Sequence, residues 1–282
     1  ILAQIARWNP TRTAASPAFL QQLASAATSG SLSGFRKIYT GGAPVFPPLL
    51  SSLQLLAPKA EVVAVFGSSE AEPIAHISHE ALESYGAIAD GSGLLVGAPV
   101  AEIAVRILPD NSGAPMGPFA KTDFELLALP PGSPGEIAVA GPHVLGSYLN
   151  GHGNQETKIA VDGTTWHRTG DAGYLDTQGR LWLLGRCAAK ISDSRGCLYP
   201  FAVECAAQNV VYPRRCALVS VRGRRILAVE STSPLLDEER TQLASLLSWA
   251  ELDEIRAIAS IPVDKRHNAK VLYDELRTAL LR

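Results

Sequence analysis

The sequence is poor in the residue types that mark several classes of protein. It holds four cysteines in 282 residues, Cys187, Cys197, Cys205 and Cys216. None forms a CxxC pair or a Cys/His spacing typical of zinc sites, so we expect free thiols in a reducing cytoplasm. No apolar run reaches the ~18 residues that a membrane-spanning helix needs. The sequence therefore predicts no transmembrane segment.

Basic clusters are also lacking. The chain has 25 Lys and Arg against 27 Asp and Glu, for a formal net charge of −2, which excludes the electrostatic footprint of a nucleic-acid-binding protein. The whole chain contains one Met, and it starts at Ile1 without the charged-then-apolar layout of a signal peptide. We interpret this start as a cut, natural or introduced, within a longer protein.

The first part of the chain alternates predicted helices and strands. Apolar spacing predicts a helix over Ser16–Ala27 and another over Pro47–Leu56, and buried-type strands over Phe35–Tyr39 and Glu61–Phe66. Each strand runs into a glycine-rich turn. This alternation is typical of an α/β fold.

The pattern changes after Leu94. Short apolar runs separated by Pro and Gly predict a small, mostly antiparallel β region over Leu94–Tyr148. Strands continue over Trp166–Gly185, around turns predicted at Asp171–Gly173 and Asp176–Gly179.

After Arg186 the sequence pattern changes again, to one typical of an α+β domain. The predicted elements are helices over Pro200–Val210, Asp237–Trp249 and Leu272–Leu281, and strands over Cys216–Val221, Arg225–Val229 and Ile255–Ile261. We therefore predict two domains: residues 1–186, the C-terminal portion of a large domain, and residues 187–282, a small mobile domain.

Three segments carry residues suited to nucleotide chemistry. The first, Phe66–Pro73, is a strand end followed by a glycine turn with hydroxyls and a carboxylate, where open α/β sheets bind ligands. Hydroxyls can hold phosphate oxygens, and Glu70 can hold Mg²⁺ beside them. Taken alone, the segment is better explained by Ser69 capping a helix that begins at Glu70.

The other two segments lie further along the chain. Asp171, in a Gly-flanked stretch, can accept hydrogen bonds from a ribose diol, and Arg186 can bind the same sugar or a phosphate. A turn aspartate is the simpler explanation for Asp171. The third segment, Pro262–Lys270, is a polar cationic loop whose last lysine can stabilise charge at a phosphoryl group; a solvated basic turn is the commoner alternative.

Together, and in this order, the segments resemble the acyl-adenylate-forming superfamily. Gly41–Pro44 is similar to its acyl- and adenine-pocket motif, and Phe66–Glu70 to its aromatic-Gly-x-Thr-Glu motif, with Ser69 where Thr is usual. Thr169–Asp171 is similar to its Thr-Gly-Asp motif, and Gly185–Arg186 to its hinge entry. Lys270 falls where the family has its adenylation lysine.

The resemblance implies a set of roles. ATP, yielding AMP, and Mg²⁺ are the implied cofactors, with Lys270 and Glu70 catalytic and Glu70 binding the metal. The implied nucleotide-binding residues are Gly42, Ala43, Pro44, Phe66, Gly67, Ser68, Ser69, Asp171 and Arg186.

A closer resemblance is to the β-lactone synthetases of bacterial olefin biosynthesis, carried by segments such as Trp166–Tyr174, Leu198–Glu204 and Pro262–Lys270. It implies a fatty or 3-hydroxy fatty acid substrate, activated as acyl-AMP and closed to a lactone in the cytoplasm, beside other enzymes of hydrocarbon or lipid biosynthesis. The alternative is a ligase that forms a CoA thioester.

Two departures from the superfamily are visible. The phosphate loop ending in Pro-Lys-Gly is absent, since Thr28–Gly34 has no lysine and is interpreted as a surface loop. The chain by itself is therefore expected to be inactive, and a binding module is a further alternative. In addition, Cys187–Lys190 lacks the Asp or Lys usual just after Gly-Arg, which leaves the hinge residue unassigned.

Overall fold

A computed structural model describes residues 1–86, 91–111, 113–264 and 270–281 of the chain. Its first unit contains α1 (Leu2–Trp8), β1 (Arg12–Ala15), α2 (Pro17–Ala26), β2 (Lys37–Gly41), α3 (Pro47–Leu56), β3 (Glu61–Ser68), β4 (Ala71–Ser78) and α4 (His79–Tyr85). The four strands form one sheet in the order β1-β2-β3-β4. β1, β2 and β3 are parallel, and β4 returns antiparallel. The α/β alternation predicted for this part is confirmed.

Local chemistry explains where these helices begin and what they cover. The Ser16 hydroxyl accepts a hydrogen bond from the Phe19 amide and caps α2. α2 buries Leu20, and α3 buries Leu53, in the same cluster as Ile38 of β2. The helices therefore cover the sheet with apolar faces, and helix α3 has the predicted limits.

The second unit is a six-stranded sheet. Its elements are β5 (Leu94–Gly97), β6 (Ala104–Leu108), α5 (Lys121–Leu127), β7 (Gly135–Ala140), α6 (Asn154–Thr157), β8 (Lys158–Val161), β9 (Thr164–Leu175) and β10 (Leu181–Arg186). The strand order is β5-β10-β9-β7-β6, with β8 paired to β9. The small β region is confirmed, but helix α5 was not predicted: it is held by Phe124, fully buried with its ring centroid 4.8 Å from that of Trp166.

The turn predicted at Asp171–Gly173 is wrong, because β9 runs unbroken through these residues. Glycine is required at position 173 by strand packing and not by a turn. A Cβ at this position would lie 2.3 Å from the Trp182 carbonyl oxygen of the neighbouring strand. Glycine thus permits a close approach of strands in mid-sheet, where the sequence pattern indicates a turn.

The third unit contains β11 (Ile191–Asp193), β12 (Gly196–Leu198), α7 (Pro200–Val211), β13 (Cys216–Val221), β14 (Arg224–Glu230), α8 (Asp237–Leu246), β15 (Glu254–Ile258) and α9 (Tyr273–Leu280). β13, β14 and β15 form a three-stranded sheet covered by the helices. The predicted elements are present with shifted ends: α8 stops before a short 3₁₀ turn, and β15 ends three residues before Ile261.

Helix α7 packs the third unit against the second. Gly185 has φ of +104°, and a Cβ there would lie 2.6 Å from Cβ of Phe201. The Phe201 ring centroid also lies 6.1 Å from that of Phe46 in the first unit. The domain boundary at residue 186 stays a prediction. Within the described part of the chain, no helix has the length and apolar character needed to cross a membrane.

Candidate active site

The segment Phe66–Glu70 forms a tight hairpin and does not lead into a helix. β3 ends at Ser68, which pairs with Ala71 at the start of the antiparallel strand β4. The interpretation of Ser69 as a helix cap is therefore wrong. Gly67 makes the hairpin possible, because a Cβ there would lie 2.8 Å from the Ala71 carbonyl oxygen.

The parallel strands β2 and β3 bring the two predicted glycine segments to one edge of the sheet. Their register pairs Gly41 with Val65, so Gly42–Pro44 leaves β2 beside the end of β3. A Cβ at Gly41 would lie 2.6 Å from the Val65 carbonyl oxygen, and Gly42 has φ of +78°. Both glycines are required by this backbone path.

Two hydroxyls near this edge lack partners. Thr40 Oγ1 and Ser68 Oγ are buried and make no hydrogen bond within the described part of the chain. Buried polar groups are nearly always hydrogen-bonded in folded proteins. The Ser68 hydroxyl nevertheless lies close enough to Glu70 to be among the groups that lower the pKa of that carboxylate, so hydroxyl and carboxylate sit together at the end of β3.

Glu70 is held by one loop of the second unit. The Tyr148 hydroxyl donates to Glu70 Oε1 over 2.7 Å, and the Leu145 amide donates to the Glu70 carbonyl, also over 2.7 Å. Partial burial acts to raise the pKa of Glu70. Hydrogen bonds, led by that of Tyr148, outweigh it and hold the pKa below its ordinary 4.5. The carboxylate is thus ionised and fixed in place at neutral pH.

Lys158 and His167, which lie together behind Glu70, were not identified from the sequence. Lys158 Nζ lies 3.2 Å from His167 Nδ1 and 5.0 Å from the centre of the Tyr148 ring. Burial, followed by the charge of Lys158, lowers the pKa of His167 to about 4, so the imidazole is neutral. Glu70 and Arg186 both act electrostatically on His167. The only sequence signal was the position of this histidine, four residues before Asp171.

Asp171 and Arg186 face each other across β9 and β10. Their backbones pair in register, and Arg186 Nη1 lies 2.9 Å from Asp171 Oδ1. The guanidinium covers Gly170, where a Cβ would lie 3.0 Å from Nη2. Burial raises the pKa of Asp171, and the charges of Arg186 and Lys270 oppose that rise. The Asp171 side chain remains 20% exposed, so a ligand can reach its oxygens.

Lys270 acts on Asp171 from the third unit. It is exposed, and its charge is among those that lower the pKa of Asp171. Its backbone is held by Asp264: the Lys270 amide donates to Asp264 Oδ1 over 2.8 Å. Residues 265–269 of the predicted cationic loop lie outside the described residues.

A buried ion pair supports the Asp171 segment from behind. Arg168 donates through Nε to Glu136 Oε2 over 2.9 Å, and Nη2 donates to the same oxygen. Nη1 donates to the carbonyl oxygens of Ala114 and Glu156. Arg168 is 1% exposed and Glu136 4%. This pair links β9 to β7, and Arg168 also links β9 to the loop at Ala114 and to helix α6, directly before Thr169.

The segment after Arg186 is anchored to the second unit. Cys187–Ala189 forms a 3₁₀ turn, and the Lys190 ammonium then lies 2.6 Å from Asp110 Oδ2. The Tyr199 hydroxyl donates to the same oxygen over 3.2 Å. Lys190 therefore connects the start of the third unit to the loop after β6, next to the hinge position that the sequence left unassigned.

A divalent metal could be bound at this edge only together with a ligand. The described residues include no group of three or more His, Cys, Asp or Glu placed to hold an ion. Mg²⁺ usually takes one or two carboxylates together with substrate phosphates. Glu70 beside the Ser68 hydroxyl matches that mode of binding.

Comparison with known proteins gives a consistent picture. The sequence model of a family described as AMP-binding enzyme matches residues 1–149. The chain is 34% identical over 290 residues to an olefin β-lactone synthetase of Stenotrophomonas maltophilia, and 31% identical over 291 residues to one of Xanthomonas campestris. Each alignment covers 96% of this chain and 51% of the relative, so the chain spans about half the length of these relatives.

Solved structures show the same fold. The amide bond synthetase McbA of Marinactinospora thermotolerans superposes with a TM-score of 0.74 at 24% identity, over 99% of this chain and 54% of that one. The O-succinylbenzoate coenzyme A synthetase of Bacillus subtilis, solved with ATP and magnesium, superposes with a TM-score of 0.72, over 98% of this chain and 53% of that one. The predicted fold class is confirmed.

Proposed function

The chain belongs to the family of AMP-binding enzymes, and from this premise we propose that its site joins a carboxylic acid to AMP using ATP. One observation carries the proposal: Arg186 pairs with Asp171 across two strands, and the charge of Lys270, from the third unit, also acts on Asp171. In this proposal the Ser68 hydroxyl and the ionised Glu70 supply the phosphate side of the site.

The proposed chemistry assigns one task to each group. Asp171 accepts hydrogen bonds from the ribose hydroxyls, and Arg186 fixes that carboxylate while contacting the sugar. The substrate carboxylate attacks the α-phosphorus, the bond to the bridging oxygen breaks, and pyrophosphate leaves with the electron pair. Lys270 stabilises the negative charge that develops on the α-phosphoryl oxygens. Mg²⁺, held by Glu70 and the phosphates, would supply charge neutralisation.

We further propose a 3-hydroxy fatty acid as the substrate, supported by the two relatives named olefin β-lactone synthetase. In this reaction the β-hydroxyl oxygen of the acyl-adenylate attacks the acyl carbon, the acyl–phosphate bond breaks, and AMP leaves. The hydroxyl proton is released, and a four-membered lactone ring closes. No second substrate is needed, because the acid carries its own nucleophile.

Thioester formation with CoA is the competing product. The described residues are compatible with both products, which differ only in the nucleophile that attacks the acyl carbon. Product analysis with a 3-hydroxy fatty acid, ATP and Mg²⁺ separates the two outcomes: lactone without CoA, or thioester only with it.

The decisive variant is Lys270→Ala, in the longest natural polypeptide that contains this chain. Acid-dependent release of pyrophosphate should fall by two orders of magnitude or more, since removing a donor from a charged transition state costs about 100- to 1,000-fold. Lys59→Ala, at an exposed lysine remote from the site, is the matched control. Undiminished release in the Lys270 variant would overturn the assignment.

Binding is tested separately. Titration calorimetry of ATP and AMP onto the 282-residue chain measures whether Asp171 and Arg186 bind nucleotide without the phosphate loop, and Asp171→Asn should abolish any binding that is seen. Binding without turnover by this chain is expected in either case. The alternative of a binding module would be favoured if the longest natural polypeptide that contains this chain binds nucleotide but releases no pyrophosphate.

A further inference from the structure

An almost fully buried carboxyl group lies in the third unit. Glu204, on α7, is 4% exposed. Its Oε1 accepts a hydrogen bond from the Leu218 amide of β13 over 3.0 Å. The Tyr273 hydroxyl, at the start of α9, lies 3.0 Å from Oε1 and 3.2 Å from Oε2. Among the described residues, no Lys, Arg or His forms an ion pair with this carboxyl group.

This arrangement lowers the free energy of unfolding, so it is poorly explained as a source of stability. Burying a carboxylate without a cation costs several kcal/mol, and an apolar side chain of similar size would usually be cheaper. Among the described groups that Glu204 acts on electrostatically are the Cys205 and Cys216 thiols, which carry no compensating charge. The placement of Glu204 is therefore better explained by what it holds in position.

What Glu204 holds is the start of α9, immediately after Lys270. The chain from residue 270 to residue 272 is paired with 262–264: the Asp264 amide donates to the Lys270 carbonyl over 2.9 Å, and the Leu272 amide to the Pro262 carbonyl over 2.9 Å. α9 then begins at Tyr273 without a side-chain cap. The Tyr273 hydroxyl is thus the side-chain hydrogen bond that anchors this end of the helix to α7.

We propose that Glu204 and Tyr273 are positioning residues for Lys270, a role that rests on the proposed function of that lysine. Two residues separate Tyr273 from Lys270, and the three chain steps between them reach about 10 Å at most. Fixing the tyrosine on α7 therefore restricts where the lysine backbone can lie. Helix α7 also packs on β10 through Phe201 and Gly185. The same helix therefore links the backbone position of Lys270 to the strand that carries Arg186.

The experiment compares three variants. Tyr273→Phe removes the hydroxyl and keeps the ring. Glu204→Gln keeps an oxygen at the Oε1 position, which receives both the Leu218 and the Tyr273 hydrogen bonds. Tyr212→Phe is the control, because the Tyr212 hydroxyl is buried without a hydrogen-bond partner in the described part of the molecule.

Two readouts are measured on each variant. The first is acid-dependent pyrophosphate release by the longest natural polypeptide that contains this chain. Tyr273→Phe should lower kcat on the order of tenfold to a hundredfold, as for other displaced catalytic groups, and leave KM for ATP within about twofold. The second is hydrogen exchange at the Lys270 and Leu272 amides, which should become faster in Tyr273→Phe while β13 and β14 keep wild-type rates. Glu204→Gln and Tyr212→Phe should stay near wild type in both.

The two readouts keep the proposals separate. An inactive wild-type protein contradicts the proposed function, and hydrogen exchange alone then decides whether Tyr273 positions the lysine segment. Wild-type exchange at Lys270 and Leu272 in Tyr273→Phe would overturn the inference. An increase in exchange rate spread equally over β13 and β14 would also overturn it, because that result indicates general loosening of the third unit. A loss of kcat in Glu204→Gln as large as that in Tyr273→Phe would overturn it as well.

Discussion

Glu204 should make the stability of this protein depend on pH, and replacing it with glutamine should remove that dependence. Burial raises the pKa of Glu204 from its ordinary 4.5 to about 7, against the opposing hydrogen bonds from Leu218 and Tyr273. Between these two values the folded protein keeps the proton while the unfolded chain releases it. The free energy of unfolding of the wild type therefore falls as pH rises through this window.

The size of the effect follows from the shift. Each pKa unit corresponds to about 1.36 kcal/mol, so the full window from 4.5 to about 7 is worth roughly 3 kcal/mol. The neighbouring Tyr273, Cys205 and Cys216 have pKa values raised by burial and stay neutral over this range. They therefore add no pH dependence of their own to the free energy of unfolding. Below pH 4.5 and above about pH 7 the contribution of Glu204 is constant.

The measurement is the difference between Glu204→Gln and wild type. Native-state hydrogen exchange of β13 and β14 amides in urea, at pH values from 4.5 to 8, reports the stability of the third unit. The stability of the variant relative to wild type should increase by roughly 3 kcal/mol across this range. Glu238→Gln, at an exposed position on α8, is the control, and its stability relative to wild type should not change with pH. The reasoning would be refuted if the relative stability of Glu204→Gln also did not change with pH.

Three further predictions follow from the contacts. Arg168→Met should lower the free energy of unfolding by about 3–5 kcal/mol in thermal or urea melts, because it leaves Glu136 buried without its cation; a loss below 1 kcal/mol would contradict this. Lys158→Met should raise the pKa of His167 above about 4 in an NMR titration of the ring proton, since Lys158 is the main charge that lowers it. Cys197 should react first with iodoacetamide, as judged by mass spectrometry, because it is exposed while burial raises the pKa of the other three thiols.

The elements with strong local signals were predictable. Helix α3 has the predicted limits because Pro47 begins it and its apolar residues recur at helical spacing. Strand β13 likewise has the predicted limits, over Cys216–Val221, because a short run of mostly apolar residues, buried except at Ser220, favours extended structure. Segment order along the chain was enough to suggest the roles of Glu70 and Lys270, which remain predictions until the variants are made.

The errors arose where a local signal has two meanings. A glycine indicates a turn in an isolated sequence, but at Gly173 it permits two strands to approach within a sheet. Ser69 has the composition of a helix cap, but antiparallel pairing of β4 with β3 makes it part of a hairpin. In both cases long-range strand pairing overrode the local preference.

The sequence by itself determined the alternation of elements, the family resemblance and the identity of the residues suited to phosphate and ribose. Tertiary structure alone decided which of them meet. The Asp171–Arg186 pair follows from the register of β9 with β10, and the charge of Lys270 acts on Asp171 from the third unit. The burial of Glu204 was not predictable, because the cost of a buried carboxyl group depends on its surroundings, which only folding assembles.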